Sequence, residues 1–379
     1  MEAPASPFLH ESNRDSAANQ WHAPVRWEDA LLFNLEFDHG DVLEGYLIPD
    51  GFSDQPVVSV IGEAGELLRM TCAEPRPAVI QSGRHETGLV GFRLDATVLP
   101  GLETIRHLEI RDARTGLLVY RRPGIGRQIP LKIFRMEFQM LPLAKLDHCC
   151  GMHFQYELSG IERFGQETAL QAFHLNAVDS IYLSGRLHLR NFEEFFDKGF
   201  QMVGYLPDPY YEMASRLIML KRLPQLRTTI LGDRDRLALT AAAAHFAEVA
   251  LDDERSLKKA LQTAGPKIRD VFLSPATRQL ARTAPDQPVT RSDVAPAIDL
   301  LSRFAVLGQD GAPPFFENAL AELLGLPPED IPAVSRHSVI EAVAALLRRI
   351  PLAESLLESD LILHHYVREA AGPRVLSAE

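Results

Sequence analysis

The chain has 379 residues, of which 46% are hydrophobic and 24% are charged, as in ordinary globular proteins. A single hydrophobic core stops growing at roughly 250 to 300 residues, so this length predicts two domains. The formal net charge of −12 excludes nucleic-acid binding through bulk electrostatic attraction, although it is compatible with a local basic pocket.

The N-terminal sequence and the cysteine count predict a cytoplasmic protein. Residues 1–20 lack the positive start and apolar core of a secretory signal, and no later stretch is long and apolar enough for a membrane span. The three cysteines, Cys72, Cys149 and Cys150, are too few for a disulfide framework and fit a reducing compartment. Residues 1–24 are rich in Ala, Ser, Pro and Asn without an apolar period, so we expect a flexible tail or a short docking arm.

Short β-prone runs fill residues 25–123. Examples are LLFNLEF at 31–37, VLEGYLI at 42–48 and VVSVIG at 57–62, and turn residues separate successive runs. About six or seven strands with such regular turns predict a small antiparallel β-sandwich. We expect this domain to be accessory and to carry no chemistry.

The stretch that follows, Arg122-Pro123-Gly124-Ile125-Gly126-Arg127, is rich in Gly and Pro. Gly-X-Gly also occurs in phosphate-binding loops, but those continue to a third glycine and an amphipathic helix, which are missing here. We interpret the stretch as a hinge between the β-sandwich and a second domain at 130–379.

The second domain begins with a run that alternates like a strand, LKIFRMEF at 131–138. Two later runs, at 181–183 and 202–206, carry apolar residues on both faces, and each precedes a turn and a segment with helical spacing. Such strands are typical of a parallel sheet covered by helices on both faces, so we predict an α/β fold. Ligands bind beyond the carboxyl ends of these strands, which places a site at loops 184–186 and 207–209.

The chain after residue 224 carries mainly helical patterns, with apolar residues at i, i+3 and i+4. Pro and Gly residues separate the successive segments, as they do at helix ends. FAVLG at 304–308 continues one of these helical patterns but is also compatible with a late parallel strand.

Four residues of metal-ligand types lie close together in a segment, 145–159, that we predict to be helical. They are His148, Cys149, Cys150 and His153. Cys149 and His153 share a helix face, so a soft metal site can be drawn. However, adjacent helix residues point about 100° apart, and no second Cys/His pair lies at zinc-ligand spacing. We therefore expect no metal and interpret the cysteines as buried free thiols.

The segment YLPDPYYEMASRL at 205–217 resembles the strand, loop and helix of bacterial and Golgi-type sulfotransferases. FFENALAELLGL at 315–326 and LLESDLILHHYVREA at 356–370 resemble the C-terminal helices of the same family, so the resemblance spans about residues 130–370. It implies a P-loop NTPase-like parallel sheet. It also implies sulfuryl transfer from 3′-phosphoadenosine 5′-phosphosulfate to a carbohydrate hydroxyl.

Two segments of the first domain resemble the β-sandwich found beside bacterial glycosyltransferase and sulfotransferase domains: EGYLIPDG at 44–51 and VIQSGRHETGLVGFRLD at 79–95. That module usually ends a strand with Gly-Trp-X-X-Asp, whereas this chain has Gly45-Tyr46-Leu47-Ile48-Pro49-Asp50. The resemblance implies a role in bacterial surface-polysaccharide production. A carbohydrate acceptor or polysaccharide-synthesis proteins would then be the partners.

Both donor-binding motifs of the family are degraded in this chain. In the family, an Arg before the helix and a Ser within it hold the 3′-phosphate; Ser215 stands at the Ser position, but Pro207 stands at the Arg position. The family's Pro-Lys-X-Gly-Thr-Thr loop surrounds the 5′-phosphosulfate with backbone amides. The stretch Pro142-Leu143-Ala144-Lys145-Leu146-Asp147 lacks the Gly and the Thr pair, and Asp147 would repel an anion.

A site for the donor's anionic groups can still be predicted from the loops. If the strands ending at Ser184 and Leu206 are neighbours, their loops lie side by side, and the positive end of the following helix faces the space between them. The members that we predict are Arg186, Ser215 and the amides that begin the helix at Tyr210, with Lys145 as a fourth.

Asp208 opposes an anion at this place, since its carboxylate would cap the same amides as a helix N-cap. Arg186 would have to neutralise it. Alternatively, Arg186 forms a structural ion pair with Glu193 or Asp208.

A sulfotransferase also needs a general base that takes the proton of the acceptor hydroxyl, and a histidine suits this role. His174, in a predicted helix at 167–177, and His188, which follows Arg186, are the two candidates. The alternative for each is a surface histidine or a capped core residue.

Three functions are compatible with the sequence. The first is an active sulfotransferase, and the second is an inactive homologue that serves as a binding or assembly factor for surface polysaccharide. The third is a glycosyltransferase, for which Asp233-Arg234-Asp235 is the only motif. Loss of both donor motifs removes several charge-assisted bonds of about 1.5 to 3 kcal/mol each, which favours the second.

Overall fold

The computed structural model describes residues 31–123, 128–175, 178–225 and 231–371. The predicted tail at 1–24 and the Gly-X-Gly of the predicted hinge lie outside the described residues. The chain divides into two compact units, of which the first ends at Tyr120 and the second begins at Arg121.

The first unit contains two four-stranded sheets whose strand orders are β1-β2-β6-β5 and β4-β3-β7-β8. The recorded pairings within them are antiparallel, which confirms the predicted antiparallel strands. The sequence favours strands here because buried and exposed side chains alternate with a period of two. In β2, for example, Leu43 and Leu47 are buried, whereas Glu44 and Tyr46 are partly exposed. The elements are β1 Leu32–Asp38, β2 Leu43–Ile48, β3 Val57–Gly62, β4 Gly65–Thr71, β5 Glu74–Pro75, α1 Pro77–Gln81, β6 Leu89–Leu94, β7 Leu108–Asp112 and β8 Leu118–Arg121.

The second unit is built on a five-stranded parallel sheet, which confirms the predicted α/β class. Its strands are β9 Lys132–Met136, β10 Tyr156–Ser159, β11 Ile181–Gly185, β12 Phe200–Leu206 and β13 Val306–Gln309. Their order in the sheet is β10-β11-β9-β12-β13. The strand pattern at 304–308 is therefore realised, as β13.

The prediction that β11 and β12 are neighbouring strands is wrong. The strands that end near Ser184 and at Leu206, β11 and β12, do not pair with each other, because β9 lies between them and pairs with both. A sequence shows which runs are strands but not which strand is inserted between two others. The loops at 184–186 and 207–209 consequently flank the loop that follows β9.

Helices cover both faces of this sheet. Phe134, Phe173 and Phe195 belong to an aromatic cluster on one face, whereas Ile133 and Tyr182 belong to the core on the other face. The strands are buried on both sides for this reason, as their apolar runs predict.

The helices of the second unit follow the strands and then fill the C-terminal part. They are α2 Ala144–Gly151, α3 Gln166–Phe173, α4 Glu194–Asp197, α5 Pro209–Arg222, α6 Asp233–Phe246, α7 Glu254–Thr263, α8 Pro266–Arg269, α9 Pro275–Ala281, α10 Val294–Leu301, α11 Pro313–Leu324, α12 Ser338–Leu347, α13 Pro351–Leu356 and α14 Glu358–Ala371. None of the described helices has the length and apolar character that a membrane crossing requires.

One predicted helix is too long. The segment 145–159 was expected to be one helix, but α2 ends at Gly151 and residues 156–159 form β10. The physical reason is a change of period, since Tyr156 and Leu158 are buried two residues apart, as in a strand. The predicted helix at 167–177 likewise ends earlier, at Phe173, and residues 176–177 lie outside the description.

Candidate functional site

The loop at 137–143 follows the central strand β9 and precedes α2, at the carboxyl edge where parallel sheets bind ligands. Its backbone amides are occupied by two carboxylates of the protein. The amides of Gln139 and Leu143 donate to Glu137, at 3.0 Å and 2.8 Å. The amide of Met140 donates to both carboxylate oxygens of Glu212, at 3.0 Å and 3.2 Å. An anion at this loop is thus supplied by the protein itself.

Glu212 reaches the 137–143 loop from the first turn of α5. This helix begins with Pro209, and its N-cap residue Asp208 accepts a hydrogen bond from the Tyr211 amide at 3.0 Å. One turn after Glu212, the Arg216 Nε donates to its carboxylate at 2.8 Å. The carboxylate is therefore fixed between a backbone amide and a guanidinium while it is almost fully buried.

Glu137 belongs to a buried ion-pair network around Arg135. The Arg135 guanidinium donates to Asp147 through Nε at 2.5 Å and Nη2 at 2.7 Å, and to Glu137 through Nη2 at 3.0 Å. The Tyr182 hydroxyl donates to Asp147 at 2.8 Å. Asp147, which the sequence analysis expected to repel an anion, is the counter-ion of Arg135.

Burial changes the acidity of both carboxyl groups that hold the 137–143 loop. Removal from water raises the pKa of Glu212 to about 7, although Arg216 and the Met140 amide oppose this shift. Burial also raises the pKa of Glu137, against the charge of Arg135. A proton is therefore held more tightly by these groups than by an exposed carboxyl.

Arg186, the main predicted anion ligand, lies beside the 137–143 loop but is neutralised. Its Nη2 donates to Asp235 at 2.6 Å and lies 3.2 Å from Glu162, and its Nη1 lies 2.9 Å from the Met140 Sδ. The Arg186 amide also donates to Glu162 at 3.0 Å. Gly185, with φ +151°, permits this approach, because a Cβ there would lie 2.2 Å from the Glu162 carboxylate.

The ion pairs that the sequence suggested for Arg186 are made by other arginines. Arg190 pairs with Glu193 at 2.6 Å, and Arg348 pairs with Asp208 at 2.9 Å. Asp208 does cap α5 as expected, and its carboxylate occupies the Tyr211 amide.

The other predicted donor ligands lie in different surroundings. Ser215 is buried in α5, and its hydroxyl has no partner among the described residues. Tyr210 is half-buried with the Arg348 guanidinium 5.4 Å from its ring centre, and Lys145 is exposed on α2. Their roles in donor binding stay predictions.

The two candidate bases occupy different surroundings. His174 is exposed after α3, with its ring edge against Phe195 at 4.9 Å between ring centres. His188 is half-buried and directly precedes a short turn at Leu189–Phe192. Neither position tests catalysis, so both roles stay predictions.

The cysteine segment has structural contacts. The Cys149 thiol donates to the Asp330 carbonyl at 2.8 Å, and burial raises the pKa of Cys150 to about 12. Across the described ranges, no group of three or more His, Cys, Asp or Glu side chains is arranged to hold a metal ion.

Arg135, Glu137 and Glu212 also belong to this site, although none of them was predicted from the sequence. A signal for the first two was present, because Arg135 and Glu137 fall two residues apart in a strand whose neighbours are apolar on both faces. Charged residues in such a strand must be paired. Glu212 gave no comparable signal, since a Glu four residues before an Arg is equally typical of an exposed helix face.

Comparison with known proteins names no family. No protein-family model matches this chain, and no curated protein matches its sequence.

Proposed function

We propose that the second unit is a sulfotransferase-like, P-loop-like domain that does not bind the phosphosulfate donor. It acts as a binding or assembly factor in bacterial surface-polysaccharide production, with carbohydrate or polysaccharide-synthesis proteins as partners. We infer that the donor is not bound because Glu137 and Glu212 already occupy amides of the 137–143 loop. The polysaccharide part follows from the resemblance.

A phosphosulfate at this loop would have to displace the protein's own carboxylates. Donor loops of this type hold an anion with backbone amides at the start of a helix. Here the competing groups are tethered next to the amides, so their effective concentration is high. A displaced Glu137 or Glu212 would also leave Arg135 or Arg216 with one acceptor fewer in a buried place, which typically costs about 1 to 3 kcal/mol per group.

The residues expected to bind the donor's 3′-phosphate are also replaced, buried or already paired. Pro207 stands at the family's Arg position, and Ser215 is buried in α5. Arg186 has the right charge, but Glu162 and Asp235 already balance it. The described residues around the loop therefore offer the donor little net positive charge.

Calorimetric titration with 3′-phosphoadenosine 5′-phosphate tests whether the chain binds the donor. We expect a dissociation constant weaker than about 1 mM for the full chain, because the amides are already occupied. Arg186→Ala and Ser215→Ala proteins serve as controls that would locate any binding. Micromolar binding that Arg186→Ala abolishes would contradict the proposal and favour an active sulfotransferase; a parallel titration with neutral and acidic oligosaccharides tests the binding role.

A further inference from the structure

We infer that the carboxyl end of β9 carries a binding site for a neutral, hydroxyl-bearing ligand of the carbohydrate class. The choice of a carbohydrate among such ligands depends on the proposed function, whereas the site itself depends only on the contacts around Glu137. It differs from a phosphosulfate site, because its free groups are side-chain atoms and not the amides of the 137–143 loop.

Four buried polar atoms near Glu137 have no hydrogen-bond partner among the described residues. They are the Arg135 Nη1, the Gln139 Nε2, the Ser184 Oγ and the Gln279 Oε1. Buried polar atoms of this kind are few in native proteins, and an ordered water or a ligand normally satisfies them. Their concentration at the end of one strand therefore indicates a place that receives a ligand.

The four residues lie close together because each is tied to Glu137 or to its neighbour. The Arg135 Nη2 and the Gln139 amide donate to the Glu137 carboxylate, each at 3.0 Å. The Gln279 Nε2 donates to the Glu137 carbonyl oxygen at 3.1 Å. Ser184 lies opposite Arg135 in the register of β11 and β9, and so on the same face of the sheet.

Gln279 is held in position by the start of its helix, α9. The amides of Ala276 and Thr277 donate to the Asp360 carboxylate, at 3.1 Å and 2.7 Å. The bond from the Gln279 Nε2 to Glu137 orients the carboxamide, so its Oε1 remains as the free acceptor. A group that is fixed before binding loses little conformational freedom when a ligand arrives.

The free groups favour a neutral ligand. The charged side chains beside the loop already pair with each other, as Arg135 does with Asp147 and Glu212 does with Arg216. An ionic ligand would have to displace one of these partners to find an opposite charge. A hydroxyl can both donate and accept, so it satisfies a free amide nitrogen, a free amide oxygen or a serine hydroxyl. A sugar presents several hydroxyls at once and matches this set.

Access to the site requires a movement of the loop, because the four atoms are closed to solvent in this structure. The strand residues Arg135 and Ser184 are buried, whereas Leu141, Pro142 and Leu143 of the loop are partly exposed. We expect this short stretch, and not the sheet, to move when a ligand enters.

Saturation-transfer NMR titration of the full chain with glucose, galactose and N-acetylglucosamine tests the site. We expect at least one of these neutral sugars to bind saturably below roughly 100 mM, and glucuronate to bind about tenfold more weakly or less. Gln139→Met and Ser184→Ala should each weaken binding of the neutral sugar about tenfold, because each removes one hydrogen-bonding group. Gln262→Met, at an exposed residue of α7, is the matched control and should bind like the parent.

Thermal unfolding of the variants separates lost binding from lost structure. Gln139→Met should be at least as stable as the parent, because it removes a buried amide nitrogen without a partner and keeps the backbone bond to Glu137. If Gln139→Met does not fold, Ser184→Ala alone decides the binding test.

Three results would overturn the site. The first is that no neutral sugar binds the parent, so that the four atoms hold ordered water only. The second is saturable binding that both site variants leave unchanged; a carbohydrate role would then survive at another place. The third is glucuronate binding as tight as that of the neutral sugars. None of these results depends on the titration with 3′-phosphoadenosine 5′-phosphate, which tests donor binding separately.

Discussion

Replacing Arg135 by alanine is expected to lower the free energy of unfolding by about 3 to 5 kcal/mol. The side chain is 1% exposed and binds both Asp147 and Glu137, so its removal leaves two buried acids without their cation. Denaturant unfolding of the full chain measures the loss. A large drop would show that the acids beside the 137–143 loop depend on this arginine.

The control for Arg135→Ala is Arg291→Ala in the same unit. Arg291 is 75% exposed and faces Glu358 at 3.6 Å, so its loss should change stability by no more than about 0.5 kcal/mol. Equal effects of the two substitutions would mean that the Arg135 network adds nothing beyond a surface ion pair.

Replacing Glu137 by alanine is expected to cost about 3 kcal/mol, because it removes the acceptor of two loop amides and one partner of Arg135. Glu137→Gln should cost less, since it keeps a carbonyl oxygen for one of these donors. Thermal and denaturant unfolding of both proteins measure the difference. Glu194→Ala, at an exposed residue, provides the baseline.

Two results would contradict the effects expected for Glu137. If Glu137→Ala and Glu194→Ala have the same stability, the Glu137 carboxylate does not hold the loop. If Glu137→Gln is as unstable as Glu137→Ala, the charge and not the hydrogen bonding is what matters.

The fold class could be predicted because it depends on local patterns. Runs at 181–183 and 202–206 are apolar on both faces, and only a sheet covered on both sides accommodates them. The period of two in β2 similarly predicts antiparallel strands with one buried face. Both properties are visible within a few residues.

The arrangement around the site could not be predicted in the same way. The insertion of β9 between β11 and β12 is a property of the whole sheet, and it places Arg186 beside the loop after β9. The burial of Glu212 also depends on an element far away in sequence, because its partner amide belongs to Met140. A helical Glu before an Arg gives no sign of such a partner.

Loss of the donor-loop motif and occupation of the loop amides by the protein's own acids are two separate differences from the sulfotransferase pattern. Sequence comparison with the sulfotransferase pattern indicates only that Gly and Thr are missing from 142–147. The structure adds that the amides of the preceding loop are bonded to Glu137 and Glu212. If the proposal is right, we expect that introducing the motif alone would not create a donor site, since the two acids would still compete for the amides.

The most direct test of whether Glu137 and Glu212 take the place of a donor anion is a crystal structure of the full chain, soaked with 3′-phosphoadenosine 5′-phosphate at about pH 6. We expect the Glu137 carboxylate to remain within hydrogen-bonding distance of the Gln139 and Leu143 amides and Glu212 to remain bonded to the Met140 amide, with no phosphate at the loop. A phosphate bonded to these three amides, with Glu137 and Glu212 displaced, would contradict the proposal that the protein's own acids have replaced the donor.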